Sequence, residues 1–287
     1  MLRLNNVKVR YKDVLALDMD REIVIESGHK VGVVGANGAG KSTLVKAILG
    51  IVNYEGDIEG YVSPKDIAVH LQENNYAELP CKVIMEMILG CSIKEMPLVL
   101  ELIDLFEFEP LFSRKFSKLS GGQKQKFTMI MVLCQEKPLT IVDEVTSGLD
   151  FENRQLLIEK IQQWYQKRKG SLIIVSHYYD ELEKLADKLL ILDKGKVIGF
   201  GPVDHLFKKY CGQMVITMDY SPEREVLFDG FKRISAKKGV LAYSFDDNIK
   251  AKEMTEILLD KMISYKQCTK DLELIIINAK EAYYEDK

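Results

Sequence analysis

The sequence predicts an α/β protein, a parallel or mixed sheet flanked by helices, followed by a smaller α+β unit. Three observations carry this expectation. Strand-like and helix-like segments alternate from the start to about residue 210. A glycine-rich run, Gly35-Ala36-Asn37-Gly38-Ala39-Gly40-Lys41-Ser42, sits between the apolar Val31-Gly32-Val33-Val34 and the helically spaced Thr43 to Leu49. After Cys211-Gly212 the alternation changes character. The expected division is therefore residues 1–212 and an accessory unit over 213–287.

Taken in order, residues 2–10 and 22–26 alternate apolar and polar, as antiparallel strands with one wet face do. The glycine-rich loop then lies at the carboxyl end of a buried strand. Between about 75 and 135 the strand signal disappears. Lys82–Leu89, Glu95–Phe106 and Gln123–Leu133 carry helical spacing instead, which predicts a helical insertion. Leu139–Val142 and Ser171–Val175 read as strands separated by a long helix over Phe151–Lys169. Lys188–Leu192 and Lys196–Phe200 form a predicted hairpin turning at Lys194-Gly195 and ended by Gly201-Pro202. Farther on, Met214–Met218 and Val240–Phe245 look like strands, Ala251–Ser264 like an amphipathic helix and Leu272–Ile277 like a further strand. No internal repeat is apparent.

A formal charge of −3 over 287 residues excludes the basic footprint of a nucleic-acid binder, so no nucleic-acid partner is expected. The cysteines Cys81, Cys91, Cys134, Cys211 and Cys268 are odd in number and widely spaced, which points to neither a disulfide framework nor a zinc site but to a reducing cytosol. The longest apolar runs are strand-sized, far short of a bilayer span, and no signal-peptide core opens the chain.

The run Gly35 to Ser42 fits G-x-x-x-x-G-K-[ST], the P-loop. Glycines at this spacing let consecutive backbone N–H groups converge on phosphate oxygens at a helix N-terminus, where the helix dipole favours negative charge. Lys41 adds a positive charge for the terminal phosphates, and the Ser42 hydroxyl suits Mg²⁺. The ligand expected is a nucleoside triphosphate. A second motif, Leu139-Thr140-Ile141-Val142-Asp143-Glu144, ends an apolar strand in two carboxylates. Asp143 is placed to hold the Mg²⁺ hydration shell opposite Ser42, and Glu144 to polarise an attacking water.

The third motif, Leu119-Ser120-Gly121-Gly122-Gln123, resembles the signature of the ATP-binding-cassette (ABC) ATPases and lies just upstream of the Asp143–Glu144 strand, as it does in that family. Read alone, Ser120 or Gly122 would simply cap the helix that starts near Gln123, and that reading is compatible with phosphate binding. The resemblance covers about residues 1–210. It implies an ABC cassette: a mixed-sheet core with an antiparallel β subdomain and a helical subdomain, here with a small C-terminal α+β unit. It further implies that Tyr11 stacks on adenine and that the backbone of Gly35, Ala36, Asn37, Gly38, Ala39, Gly40, Lys41, Ser42 and Thr43 cradles the phosphates of ATP. Gln72 in His70-Leu71-Gln72-Glu73 looks like the Q-loop glutamine that touches Mg²⁺ and relays to a transport subunit. Ser147-Gly148-Leu149-Asp150 is similar to the D-loop, and His177 looks like the switch histidine. Catalysis would then rest on Glu144, His177, Lys41 and Gln72, with Ser42, Gln72 and Asp143 at the metal.

In the family the P-loop of one subunit and the signature of another sandwich one ATP. Ser120, Gly122, Gln123 and Asp150 are accordingly expected to serve nucleotide held by a second copy of the chain or a related ATPase. A separate transmembrane permease is the other expected partner, with the chain on the cytoplasmic membrane face. Within the helical insertion, an exposed excess among Met85, Met87, Ile88, Leu98 and Phe106 would mark the contact. The small C-terminal extension resembles the ATPases of bacterial drug, lantibiotic and peptide exporters. The alternatives are an importer ATPase and a soluble ABC protein of the translation or repair type. The chain departs from the family at Val145 and Phe151, where proline is usual, and at Ile130 and Val132, where alanine is common. None of these removes a reacting group.

Overall fold

A computed structural model describes residues 1–61, 63, 65–70, 76 and 78–285. Strand β1 (Leu2–Tyr11) buries Leu2, Leu4, Val7 and Val9. The inward period slips by one residue between Leu4 and Val7, where Asn6 takes a left-handed φ of 49° and the pairing register shifts. β1 pairs antiparallel with β2 (Val14–Asp18) and β3 (Ile23–Ile25). After β4 (Lys30–Val34) and α1 (Lys41–Ile48), the chain returns to β1 as β5 (Glu55–Gly60). The strand β5 carries almost no apolar residues. Ladder pairing to β1, not side-chain pattern, makes it a strand.

The second sheet starts with β6 (Ile67–His70). The insertion supplies α2 (Cys81–Leu89), α3 (Pro97–Leu105) and α4 (Gly121–Leu133). From Phe127 to Leu133 every residue of α4 is buried, including Ile130 and Val132, so the larger residues there pack into core and not against solvent. Next come β7 (Leu139–Asp143), α5 (Phe151–Gln166), β8 (Ser171–Val175), α6 (Tyr179–Leu185), β9 (Lys188–Asp193) and β10 (Lys196–Pro202). The strand order is β10-β9-β4-β8-β7-β6. Among the described residues of this sheet only the β9–β10 hairpin is antiparallel; the other pairs are parallel and largely buried, as the continuous apolar runs Leu139–Val142 and Ser171–Val175 foretell.

Helix α7 (Val203–Cys211) leads to β11 (Met214–Asp219), α8 (Pro222–Leu227), β12 (Arg233–Ile234), β13 (Val240–Phe245), α9 (Asn248–Asp260) and β14 (Lys266–Cys268). The antiparallel order β12-β13-β11-β14 in a β-α-β-β-α-β chain is the ferredoxin-like arrangement. One face of this sheet packs Ile216, Leu241, Tyr243 and Phe245 on Met254 and Leu258 of α9. The other face turns Val215 and Ala242 into the core shared with α7.

The expected strand at Leu272–Ile277 is instead the opening of a helix, α10 (Leu272–Glu285). The Asp271 carboxylate accepts the Leu274 N–H at 3.0 Å, an N-terminal cap that commits the following apolar residues to helix. The buried positions Leu272, Ile275 and Ala279, with Leu274 and Asn278 beside them, follow i, i+3, i+4, i+7 spacing and not alternation. A continuous run of leucine and isoleucine is ambiguous until its capping residue is weighed. The predicted helix at Ala251–Ser264 starts earlier, because the Asp247 side chain caps Ile249 and Lys250, and it ends at Asp260.

Candidate functional site

The loop Gly35–Gly40 leaves the buried end of β4 and feeds α1. Its path demands glycine at two points. A Cβ on Gly35 would lie 2.2 Å from the Leu192 carbonyl oxygen of β9, and one on Gly40, which has φ +103°, would lie 2.9 Å from the Ala16 carbonyl of β2. The loop is further tied by the Gly195 N–H, which donates to the Ala39 carbonyl at 3.0 Å. Lys41 is buried, and its Nζ donates to the Gly35 carbonyl at 2.7 Å and the Ala36 carbonyl at 3.1 Å, arching over the loop. Ala36, Asn37, Gly38 and Ser42 are exposed, Thr43 is half-buried and Ala39 is buried. Tyr11 ends β1 with 40 % of its surface exposed, on the hairpin whose second strand borders Gly40.

β7 delivers Asp143 and Glu144 beside this loop. Burial pushes the Asp143 carboxyl above its ordinary range and the adjacent Glu144 adds to the shift, while Lys41 and Lys46 oppose it. Glu144 has a left-handed φ of 49° and its N–H donates to the Val175 carbonyl, which turns the chain off the sheet. Val145, at the position where proline was expected, is buried in the main core. His177 follows β8, and its Nδ1 lies 3.6 Å from Glu144 Oε1.

The segment Leu119–Gln123 lies elsewhere. Ser120 caps α4 in a reciprocal box: the Gln123 N–H donates to Ser120 Oγ, and Gln123 Oε1 accepts the Ser120 N–H at 3.0 Å. Helix α4 packs on β6, α3 and α5, while Gly121 and Gly122 abut Leu149 and Asn153. Asp150 caps α5 through the Asn153 N–H and side-chain amide at 2.9 and 2.7 Å. So P-loop, Asp143, Glu144 and His177 gather at one site, while Ser120, Gly122, Gln123 and Asp150 form a second group at the starts of α4 and α5, with Ser120 and Asp150 exposed and Gly122 and Gln123 half-buried. Gln72 lies outside the described residues; β6, which precedes it, ends at His70 opposite Val142.

Sequence reasoning missed the support beneath the site. Glu181 is 1 % exposed and accepts hydrogen bonds from Thr146 Oγ1 and, at 2.7 Å, from Ser176 Oγ. Arg154 Nε stands 3.6 Å away, and its guanidinium stacks 4.0 Å over the Tyr178 ring. Burial raises the Glu181 carboxyl, against the two hydroxyls and Arg154. This carboxylate therefore joins the residue two places after Glu144 to the residue just before His177. In sequence it is one more acidic residue in the first turn of a helix. His70, fully buried, makes a similar link: its Nε2 lies 2.8 Å from Gln125 Oε1 on α4.

The sequence profile described as ABC transporter matches residues 20–147. Over 231 residues the chain is 30 % identical to the methionine import ATP-binding protein MetN of Staphylococcus saprophyticus, covering 72 % of this chain and 67 % of that one. Over 219 residues it is 30 % identical to the tungstate uptake system ATP-binding protein TupC of Peptoclostridium acidaminophilum, covering 72 % of this chain and 99 % of that protein. The chain belongs to the ATP-binding subunits of ABC transporters. It is an ABC ATPase, binding and hydrolysing ATP. A Nod factor export ATP-binding protein I of Burkholderia orbicola is 28 % identical over 239 residues, 78 % of each chain. A solved ATP-binding subunit of an ABC transporter superposes with a TM-score of 0.62 at 25 % identity, covering 73 % of this chain and 93 % of that one. These coverages leave about a quarter of this ABC subunit unmatched. No helix among its described residues is long and apolar enough to cross a membrane.

Proposed function

We propose that this ABC subunit hydrolyses ATP at two composite sites in a dimer and drives transport through a separate permease at the cytoplasmic membrane face. The observation that carries the proposal is the convergence of a buried P-loop lysine, Asp143, and the Glu144–His177 pair at 3.6 Å. Residues 1–212 are taken as the catalytic unit and 213–287 as an accessory unit. Tyr11 supplies an exposed aromatic face for adenine, and the N–H groups of residues 35–43 receive the phosphates.

Mg²⁺ fits the donors present. Asp143 is a partly buried carboxylate whose charged form needs a cation, Ser42 is an exposed hydroxyl at the start of α1, and no cluster of three His, Cys, Asp or Glu stands among the described residues. That set suits an ion held by one carboxylate and substrate phosphates. When bound, Mg²⁺ neutralises charge on the terminal phosphates. Lys41 provides positive charge on the protein side. Glu144 accepts the proton of the attacking water, and His177, 3.6 Å from it, orients that water. Gln72 completes the set on the sequence resemblance.

On the family resemblance, and because Ser120, Gly122, Gln123 and Asp150 group with one another at the starts of α4 and α5, they serve nucleotide on a second copy. On the helical insertion Met85 and Phe106 are core, whereas Met87 (67 % exposed), Ile88 and Val83 face outward and form the proposed permease contact. The import and uptake relatives support an importer; the Nod factor relative keeps the expected export open. Glu144→Gln is the test. The variant is expected to keep ATP affinity, lose turnover by about 10²-fold or more, and accumulate as an ATP-bound dimer in size-exclusion chromatography. Unchanged turnover would remove Glu144 from its assigned role.

A further inference from the structure

We propose that helix α10 braces the nucleotide loop, and that Lys280 and Tyr284 are positioning residues for ATP binding. The proposal rests on the reading of Gly35–Thr43 as the nucleotide cradle and extends it to a part of the chain beyond the cassette motifs. Four observations meet here. Asp193, the last residue of β9, is buried, and each of its carboxylate oxygens has a partner on α10: Lys280 Nζ donates to Oδ1 at 2.8 Å and the Tyr284 hydroxyl to Oδ2 at 2.8 Å. Lys194 Nζ lies 5.6 Å from the centroid of the Tyr284 ring, closing the same turn from its other side. Two residues after Asp193, the Gly195 N–H holds the Ala39 carbonyl of the P-loop and the Gly195 carbonyl accepts the Asp18 N–H at 2.7 Å. Finally, Ile276 and Lys280 line a cavity of about 230 Å³ together with Gly35, Ala36, Asn37 and His177.

The physical sequence runs from α10 to the loop without a gap. Leu272, Ile275 and Ala279 anchor α10 in the main core beside Leu206, Phe207 and Cys211 of α7, so the helix is a fixed surface. A surface lysine pairing with an exposed acid would contribute little. Asp193 is different, since a buried carboxylate stripped of its donors must find water or other partners, and the chain shift that allows this moves the turn. The turn carries the N–H that holds Ala39 in place. Loosening it spreads the P-loop amides and weakens phosphate binding in ground and transition states alike, which appears in KM and not in kcat.

The experiment compares full-length Lys280→Met, Tyr284→Phe, the double variant and Lys280→Arg in MgATP hydrolysis, with fluorescent-ATP titration and thermal melts alongside. The expected result is a KM and nucleotide Kd about tenfold higher in the double variant, kcat within about twofold of the parent, and recovery of most of the affinity in Lys280→Arg, which keeps the charge and the donor. Tyr284→Phe removes a single hydroxyl and keeps the ring, so it reports the contact even if Lys280→Met folds poorly. An unchanged KM, with or without a lowered melting temperature, overturns the proposal, as does a fall in kcat at constant KM. A parent protein without ATP turnover that Glu144→Gln abolishes would instead overturn the nucleotide-site reading itself.

Discussion

Glu181 offers the sharpest quantitative test of how this site is supported. Replacing it with alanine removes the acceptor of two buried hydroxyls, Thr146 and Ser176, 1 % and 2 % exposed, and one of two carboxylate partners of Arg154, whose side chain is 14 % exposed. Each orphaned buried polar group costs about 1–3 kcal/mol, and breaking a buried ion pair from one side about 3–5 kcal/mol. Because Arg154 keeps its second partner, Asp180 at 3.2 Å, the lower end applies and the expected loss is about 3–4 kcal/mol. For a chain of this size that lowers the melting temperature by about 6–15 °C. Glu181→Gln keeps the volume and one acceptor and is expected to cost less than about 1.5 kcal/mol. The sign of the pH effect follows from the raised carboxyl. Folding favours the protonated carboxyl, and that proton-linked part of the stability is complete below the unfolded glutamate value and is lost as pH rises through the folded one, so the glutamine variant is expected to flatten stability over that window. Calorimetry and steady-state ATPase assays measure both. Turnover is expected to fall in Glu181→Ala, since Thr146 and Ser176 bracket Glu144 and His177. A melting temperature within about 2 °C of the parent in Glu181→Ala would refute the network argument.

Two further outcomes are expected. Gly35→Ala places a methyl 2.2 Å from the Leu192 carbonyl, so the loop must move; ATP affinity is expected to drop more than about tenfold by calorimetric titration, with stability lowered by about 1–3 kcal/mol. Asp193 is held below the usual carboxylate range: burial pushes it up, but the hydrogen bonds from Lys280 and Tyr284 outweigh burial. Its contribution is present above the unfolded aspartate value of about 3.9 and is lost as pH falls through the folded one. Urea unfolding at stepped acid pH is expected to show that slope in the parent and a shallower one in Lys280→Met.

The parallel core was legible because its strands are buried on both faces and leave unbroken apolar runs, and because Lys194-Gly195 marks a hairpin. β5 was not legible: Glu55–Gly60 has a single apolar residue, Ile58, and takes its strand form from pairing with β1. α10 was misread because leucine and isoleucine satisfy either period, and only the Asp271 cap decides between them. At the site, the residues proposed to touch phosphate stand in local motifs and could be named. The supporting contacts could not, since Glu181, His70 and Lys280 acquire meaning only from neighbours far away in sequence, Lys280 by its pairing with Asp193.

The position of β4 in its sheet also bears on how the protein comes into being. The strand that carries the P-loop pairs only with β8 and β9, residue 30 opposite residue 172 and residue 31 opposite residue 188. A nascent chain emerging from the ribosome therefore exposes its glycine-rich loop long before the two strands that flank β4 have been made. Such distant parallel pairing makes closure of the central sheet the slow event. A nucleotide that binds the closed sheet and not the open chain would stabilise it by mass action, so that the substrate would act as a folding ligand before it acts as a fuel.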